Sequence, residues 1–183
     1  MAAAAFAPSG GITLTTNAVN GAEAIVFPHA DTNQTAIAAI QWLTTNDVLF
    51  DVVVRPTLIA AQALYAGFKL TAALDLTTDA NAVFFVYDPA NSPNWQVATS
   101  IGGTDALTDT GIPAVAATDV RLTLIGGFTD ANGAAIVKAY IDGQHVGDIV
   151  GPTTGNLLPF IGNEGNAQSC IVRGLRVGKG WVA

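Results

Sequence analysis

The alternation of apolar and polar residues is clearest in the run DVRLTLIGGF, which begins at Asp119 and gives an extended strand one apolar and one wet face. Residues 129–133 break this run with Asp, Asn and Gly, which tolerate a positive φ or bond to their own backbone. A second apolar run, 134–141, ends at Asp142-Gly143, a pair typical of a type I′ hairpin turn. The pattern therefore predicts three consecutive antiparallel strands.

Similar runs recur about every ten residues along the chain, with Gly and Asn between them, which is typical of a β-sandwich. The segment 62–71 is rich in Ala and Leu, but Gly67 argues against a helix, and we predict a strand. Residues 102–109 are interpreted as a turn-rich connection. The remaining predicted strands are 24–27, 48–55, 81–87, 95–100, 157–161 and 170–177. The expected fold is an all-β, antiparallel two-sheet sandwich.

The first 20 residues carry no charge and contain one short strand-like stretch, from Ile12 to Thr16. We interpret residues 1–20 as an N-terminal arm and residues 21–183 as a single sandwich domain. A disordered tail is normally polar, so the apolar side chains Phe6, Ile12 and Leu14 are candidates for contact with a partner, a neighbouring subunit among them. The alternative is a frayed terminus.

Composition adds that the chain is poor in charge: hydrophobic residues make up 50% and charged residues 11%. This favours a protein that buries much of its surface in an assembly, although a compact β-protein with a Thr, Asn and Gln surface would look similar. The net charge is -7 and the seven basic residues are scattered along the chain, so direct nucleic-acid binding is not expected. No apolar run is long enough for a membrane span, and no secretory signal is visible.

Several short motifs carry a resemblance to a known fold family. The first is Tyr140-Ile141-Asp142-Gly143, followed by a short strand with His145 and Gly147; the others are 66–69 (AGFK), 78–88 (TDANAVFFVYD) and 94–96 (NWQ). Together they resemble the concanavalin A-like and laminin G-like jelly rolls, in versions found in bacteriophage virion proteins. The resemblance spans about residues 23–181 and implies a concanavalin A-like jelly roll. This fold hosts lectins, hydrolases and structural modules alike.

The chain offers few groups for catalysis. Its only glutamates, Glu23 and Glu164, have no carboxylate nearby in sequence, whereas glycosidases need two carboxylates facing one cleft. His29, His145 and Cys170 are the only soft metal ligands apart from a methionine, so a zinc site would need all of them to converge. We therefore predict no catalytic residues, no cofactor and no enzymatic activity.

Two ligand types stay open as weaker expectations. Relatives of this fold often bind calcium through loop oxygens, so the resemblance makes Asp79, Asn81 and Asp88 weak calcium candidates, although no ligand spacing supports them. Trp95, beside Asn94 in a Pro-rich loop, is the candidate for stacking on a sugar; the alternative is that its ring caps the sandwich core.

The favoured interpretation is a non-enzymatic structural protein of a phage virion. It would be a capsid decoration or cement protein that binds the major capsid protein, stabilises the shell and forms a homo-oligomer such as a trimer. Such a protein would be made in the host cytoplasm and reside on the capsid surface. The alternative is a carbohydrate-binding, lectin-like module, for example a receptor-binding tail protein, and a third option is a hydrolase with an unusual site. An exposed groove with aromatic side chains would favour the lectin, and converging carboxylates the hydrolase.

Overall fold

The computed structural model describes residues 3–8, 10–26, 42–71, 74, 78–155 and 157–180. This part of the chain forms thirteen β-strands. Their bounds are β1 Ala3–Phe6, β2 Ile12–Thr15, β3 Ala22–Val26, β4 Val48–Pro56, β5 Gln62–Lys69, β6 Asn81–Tyr87, β7 Asn94–Ile101, β8 Thr104–Pro113, β9 Val120–Thr129, β10 Ala135–Ile141, β11 Gln144–Val150, β12 Leu158–Gly165 and β13 Ser169–Lys179. No helix in the described ranges is long and apolar enough to cross a membrane.

The strands form two sheets in which all the neighbours are antiparallel. The seven-stranded sheet has the order β1-β2-β13-β4-β9-β10-β11, and the six-stranded sheet has the order β3-β12-β5-β6-β7-β8. Side chains from the inner faces of both sheets form the main core. The predicted all-β, two-sheet jelly-roll sandwich is therefore confirmed.

The hairpin between β10 and β11 has the predicted turn. Ile141 pairs with Gln144, so the loop has two residues, and Asp142 and Gly143 have φ values of 51° and 82°. Two consecutive positive φ angles define the type I′ turn, whose twist matches that of the flanking strands. The preceding turn is held by Asp130, whose Oδ1 accepts hydrogen bonds from the backbone N–H groups of Asn132 and Ala134 at 2.8 Å each.

One strand differs from the sequence prediction. Residues 102–109, expected to be a connection, contain the turn at Gly102-Gly103 and most of β8, which pairs with β7. β8 is the edge of its sheet, and its side chains are exposed along most of its length. An exposed edge strand needs no apolar alternation, so the pattern on which the other predictions rest is missing here.

The N-terminal segment also differs from the prediction of an arm separate from the sandwich. β2 pairs with β13, and β1 pairs with β2 at the edge of the seven-stranded sheet. Leu14 lies opposite Cys170 and is only 1% exposed in the main core, so it cannot serve as a partner contact. β2 covers the edge that β13 would otherwise present to water. Phe6 is 91% exposed and Ile12 38% exposed, so these two side chains are accessible.

Candidate functional site

The six-stranded sheet is apolar on both faces, which sets it apart from a sheet with one wet face. On β6, Val83, Phe85 and Tyr87 point into the main core. Ala82, Phe84 and Val86 point outward and form a second buried cluster with Leu74, Ala98 and Phe160. Leu74 lies over Gly162, where a Cβ would come within 2.2 Å of a Leu74 methyl group. The outer face therefore has its own covered apolar layer.

A groove of about 190 Å³ opens beside this cluster. It is lined by Tyr65, Leu74, Phe84, Val86, Asp88, Asn91, Gln96, Ala98 and Leu107. Leu107 on the edge strand is 46% exposed at its rim, whereas Gln96 is only 9% exposed. The Oε1 atom of Gln96 is buried and has no hydrogen-bond partner among the residues that the structure describes. A buried carbonyl oxygen without a donor costs about 1–3 kcal/mol, which a ligand donor would offset.

A second cleft, of about 340 Å³, lies next to this groove and shares Asp88 with it. Its lining residues are Asn20, Gly21, Ala60, Ala61, Gln62, Ala63, Asp88, Pro89, Ala90, Glu164 and Gly165. Tyr65 lines the groove and Glu164 lines the cleft, and the Tyr65 hydroxyl donates a hydrogen bond to Glu164 Oε2 at 3.0 Å. Polar groups thus continue across the sheet from the groove into the cleft.

Among the described residues, each ionisable group that shifts the pKa of the Tyr65 phenol is a carboxylate. Burial raises the pKa of the Tyr65 phenol, and the carboxylates of Glu164, Asp88 and Glu23 raise it further. The phenol therefore stays protonated at neutral pH and acts as a hydrogen-bond donor to Glu164.

The basic residues of the described chain lie elsewhere. Lys69 is the one Lys or Arg on a strand of the six-stranded sheet, and it is fully buried beside Asp79. The others lie on strands of the seven-stranded sheet, at Arg55, Arg121, Lys138, Arg173, Arg176 and Lys179. The sequence suggested scattered cations, but the fold places nearly all of them on the sheet opposite the groove.

The structure does not bring the three calcium candidates together. Asp79 is paired with Lys69 at one end of β6, and Asn81 accepts a hydrogen bond from Gly102 N at 3.4 Å. Asp88 lies beyond the other end of β6, where it accepts hydrogen bonds from Ala90 N and Asn91 Nδ2. About 20 Å of extended strand lies between the two aspartates. Among the residues that the structure describes, no three His, Cys, Asp or Glu side chains are arranged to hold a metal ion.

The sugar-stacking prediction at Trp95 is contradicted. Trp95 is 1% exposed, and its ring centroid lies 5.8 Å from that of Tyr87 in the main core. Side chains alternate along β7: Trp95 and Val97 point into the core. Gln96 and Ala98 point to the outer face and line the groove. Trp42 is half-buried, 6.0 Å from the ring of Phe68, while Trp181 and His29 lie outside the described residues.

Sequence reasoning missed the groove residues, Tyr65 and Gln96 in particular. The available signal was β6, whose sequence NAVFFVY is apolar at consecutive positions rather than at alternate ones. Such a run predicts a strand that is covered on both faces. In an antiparallel sandwich, this implies that something packs on the outer face of the sheet.

No protein-family model matches the chain, and no curated protein matches it in sequence. Solved structures do match in fold. The carbohydrate recognition domain of Emp46p aligns with a TM-score of 0.64 and 8% identity over 99% of this chain and 88% of that chain. An endo-β-1,4-glucuronan lyase from the fungus Trichoderma reesei aligns with a TM-score of 0.60 and 9% identity over 100% and 91%. The carbohydrate-binding module CBM66 from Bacillus subtilis aligns with a TM-score of 0.57 and 10% identity over 97% and 91%.

These similarities define the class of fold as a lectin-like, concanavalin A-like jelly-roll sandwich. At such low identities they show the fold alone. The function must be argued from the residues of the site itself.

Proposed function

We propose that this protein is a carbohydrate-binding, lectin-like module that holds its glycan in the groove on the outer face of the six-stranded sheet. The observation that carries the proposal is the buried, unpartnered Gln96 Oε1 atom in a groove that also exposes Leu107. Binding sites for small ligands combine apolar walls with a few placed polar groups. A sugar has both an apolar C–H face and hydroxyl donors, so it fits this combination. Two of the solved structures with this fold are named for carbohydrate binding.

The proposal is for binding without turnover. A tyrosine that abstracts a proton needs a lowered pKa, but burial and nearby carboxylates raise the pKa of Tyr65. Glu164 is engaged by the Tyr65 hydroxyl, and the oxygens of Asp109 accept hydrogen bonds from Ser92, Asn94 and Gly111 N. These carboxylates serve the protein's own hydrogen bonds and do not form an acid and base pair across the groove.

The test is a glycan array followed by calorimetric titration of the ligand found. Gln96→Ala removes the unpartnered acceptor and should weaken binding by about tenfold, or about 1.4 kcal/mol. Gln144→Ala is the matched control, because Gln144 is exposed on β11 in the other sheet and should leave the affinity unchanged. An array with no retained glycan, or equal affinities of the native and Gln96→Ala proteins, would overturn the proposal. Product analysis of a bound oligosaccharide after prolonged incubation should show no cleavage.

A structural role in a phage virion is the second candidate function. It is supported by the low charge content and by the exposed edge strand β1, at the end of which Phe6 is 91% exposed. Such an edge can bury apolar surface against the major capsid protein or a second copy of the chain. Mass spectrometry of purified particles tests this role, since a decoration protein must be present in many copies per capsid. Loss of particle binding on Phe6→Ser would identify β1 as the contact.

A further inference from the structure

We infer that the groove selects glycans that carry free amino groups and excludes glycans that carry carboxylates or sulfates. This inference rests on the proposed function and names the ligand class of the same site. It follows from the sign of the charges on the outer face of the six-stranded sheet and from the kind of hydrogen-bonding atoms that the groove offers.

The exposed charges on this face are all negative in the part of the chain that the structure describes. Glu164 pairs across the sheet with Glu23, and Gln96 pairs with Asp109. Directly paired residues of antiparallel strands share a face, so these carboxylates lie on the side of the groove. Asp88 borders both the groove and the adjacent cleft. An anionic glycan would meet only like charge here, which is unfavourable over the roughly 10 Å range of electrostatic interactions at moderate salt.

Lys69, the one cation on the strands of this sheet, does not change the negative charge of the outer face. Lys69 is 0% exposed, and its Nζ lies 3.5 Å from the Asp79 Oδ2 atom, which neutralises it. Its Nζ also lies over two rings of the apolar cluster, 5.4 Å and 5.7 Å from the ring centroids of Phe84 and Phe160. Its ammonium group therefore cannot reach a ligand carboxylate in the groove.

Several hydrogen-bonding atoms at the groove are acceptors, beside the amide N–H groups of Asn91 and Gln96. Within the described part of the chain, no group donates a hydrogen bond to Gln96 Oε1. Asp88 accepts from Ala90 N and Asn91 Nδ2, and Glu164 accepts from Tyr65, but each carboxylate oxygen has a second lone pair. An ammonium group supplies three donors and a positive charge, a hydroxyl supplies one donor, and a carboxylate supplies none. A negatively charged site with these acceptors therefore prefers the amine.

The experiment compares hexosamine oligosaccharides that differ only in whether the amino group is free or acetylated, with a uronate oligosaccharide as the anionic ligand. The full chain is titrated with each free-amine oligosaccharide of the gluco and galacto series, with its N-acetylated counterpart, and with a uronate oligosaccharide. Two or three nearby carboxylates should make the free amine bind about five- to thirty-fold more tightly than its acetylated counterpart at low salt. Raising the salt concentration should reduce this ratio and leave the affinity for the acetylated ligand unchanged.

Charge-neutralising variants locate the effect. Asp88→Asn and Glu164→Gln keep the size of each side chain, and each should lower the preference for the amine by about two- to five-fold. Asp148→Asn removes the same charge from β11 on the other sheet, where Asp148 contacts His145, and should not change the preference. Melting curves confirm that all three variants are folded.

The outcomes separate the two proposals. Equal binding of free-amine and acetylated ligands, tighter binding of the uronate, or an equal effect of Asp148→Asn would overturn the charge selection and leave the carbohydrate-binding function standing. If no oligosaccharide in the panel or on the array binds, the proposed function fails and the charge selection fails with it.

Discussion

Lys69 and Asp79 form an ion pair that is shielded from water on the outer side of the six-stranded sheet: Nζ lies 3.5 Å from Oδ2, and both side chains are 0% exposed. Asp79 Oδ2 also accepts a hydrogen bond from Thr71 N at 3.3 Å, while Oδ1 is buried and has no hydrogen-bond partner in the described ranges. In the sequence, Lys69 precedes and Asp79 follows the segment that contains Leu74. The pair therefore ties the end of β5 to the chain before β6.

Removing one partner of this pair should be strongly destabilising. Asp79→Asn leaves the Lys69 ammonium group buried without a counter-charge, and the expected loss is about 3–5 kcal/mol of folding free energy, measured by urea denaturation. The double variant Lys69→Met/Asp79→Leu removes both charges and should recover most of this loss. Asp148→Asn, which removes half of the exposed pair with His145, is the control and should change little. A small effect of Asp79→Asn would show that water reaches the pair.

The same geometry predicts that calcium does not stabilise this protein. Asp79 is paired with Lys69, and Asp88 lies about 20 Å away beyond the other end of β6, so the two carboxylates cannot share one ion. Adding millimolar calcium or EDTA should therefore shift the melting temperature by no more than about 1 °C. A larger shift that Asp88→Asn abolishes would restore Asp88 as a calcium ligand.

The main features of the fold could be predicted because they follow from local chemistry. The Asp142-Gly143 turn needs only two residues that tolerate a positive φ. The run of β-branched residues that begins at Val48 is enough to predict β4. β8 could not be predicted in the same way, because an edge strand with exposed side chains carries no apolar alternation. The pairing of β2 with β13 joins residues about 155 positions apart in sequence, and no local pattern encodes it.

The residues of the candidate site could not be predicted from the sequence, for a related reason. Trp95 looked like a stacking platform because it lies beside a Pro-rich loop, but the register of β7 places it in the core and places Gln96 on the outer face. A shift by one residue exchanges the two faces of a strand. The choice between them depends on which residues oppose β7 in β6 and β8, and the sequence of β7 alone does not contain this information.

The N-terminal strands should contribute to stability, since they are part of the sandwich. Deleting residues 1–17 removes Leu14 and uncovers Cys170, and the expected cost is at least the 2–5 kcal/mol of a buried Leu truncation. Burial raises the pKa of the Cys170 thiol to about 12, so the thiol of the full chain should not react with a disulfide reagent at neutral pH. The truncated chain should be labelled rapidly.

Phe6→Ser is the control for this deletion, because Phe6 is 91% exposed. Its replacement should leave the melting curve unchanged and the Cys170 thiol unreactive. An unaltered melting curve after the deletion would mean that β1 and β2 are dispensable and that residues 1–17 behave as a separate arm.

The type I′ turn at Asp142-Gly143 gives a sharp test of backbone strain. Gly143 has a φ of 82°, and a Cβ at this position would meet no atom of the described residues within 4 Å. Gly143→Val therefore tests the conformational term alone and should cost about 1–2 kcal/mol by urea denaturation. Gln144→Val, one residue later at the start of β11, lacks this strain and should be close to neutral. Equal stabilities of the two variants would show that the turn adopts another conformation in solution.

The last prediction concerns acid stability and the cluster around Asp51. Asp51 is 3% exposed on β4, and its carboxylate accepts hydrogen bonds from Arg121 Nε at 2.6 Å, Arg176 Nη2 at 2.6 Å and Thr123 Oγ1 at 2.8 Å. Burial acts to raise the pKa of Asp51, but the hydrogen bonds from Arg121, Thr123 and Arg176 outweigh it, so the pKa lies below its usual value. A depressed pKa means that the carboxylate stabilises the fold above its unfolded pKa of about 3.9, and that this contribution is lost as the pH falls through the folded value.

Asp51→Asn should therefore lower the free energy of unfolding by about 1–3 kcal/mol at pH 7, the range for hydrogen bonds to a charged group. The two arginine side chains that it releases are 49% and 64% exposed, so water can solvate them and the loss stays below that of the Lys69 and Asp79 pair. Urea denaturation of the native and variant proteins should show a constant difference from pH 7 to about pH 5 and a shrinking difference below about pH 4. A difference that does not change down to pH 2.5 would mean that the side chain of Asp51 contributes through packing and not through its charge.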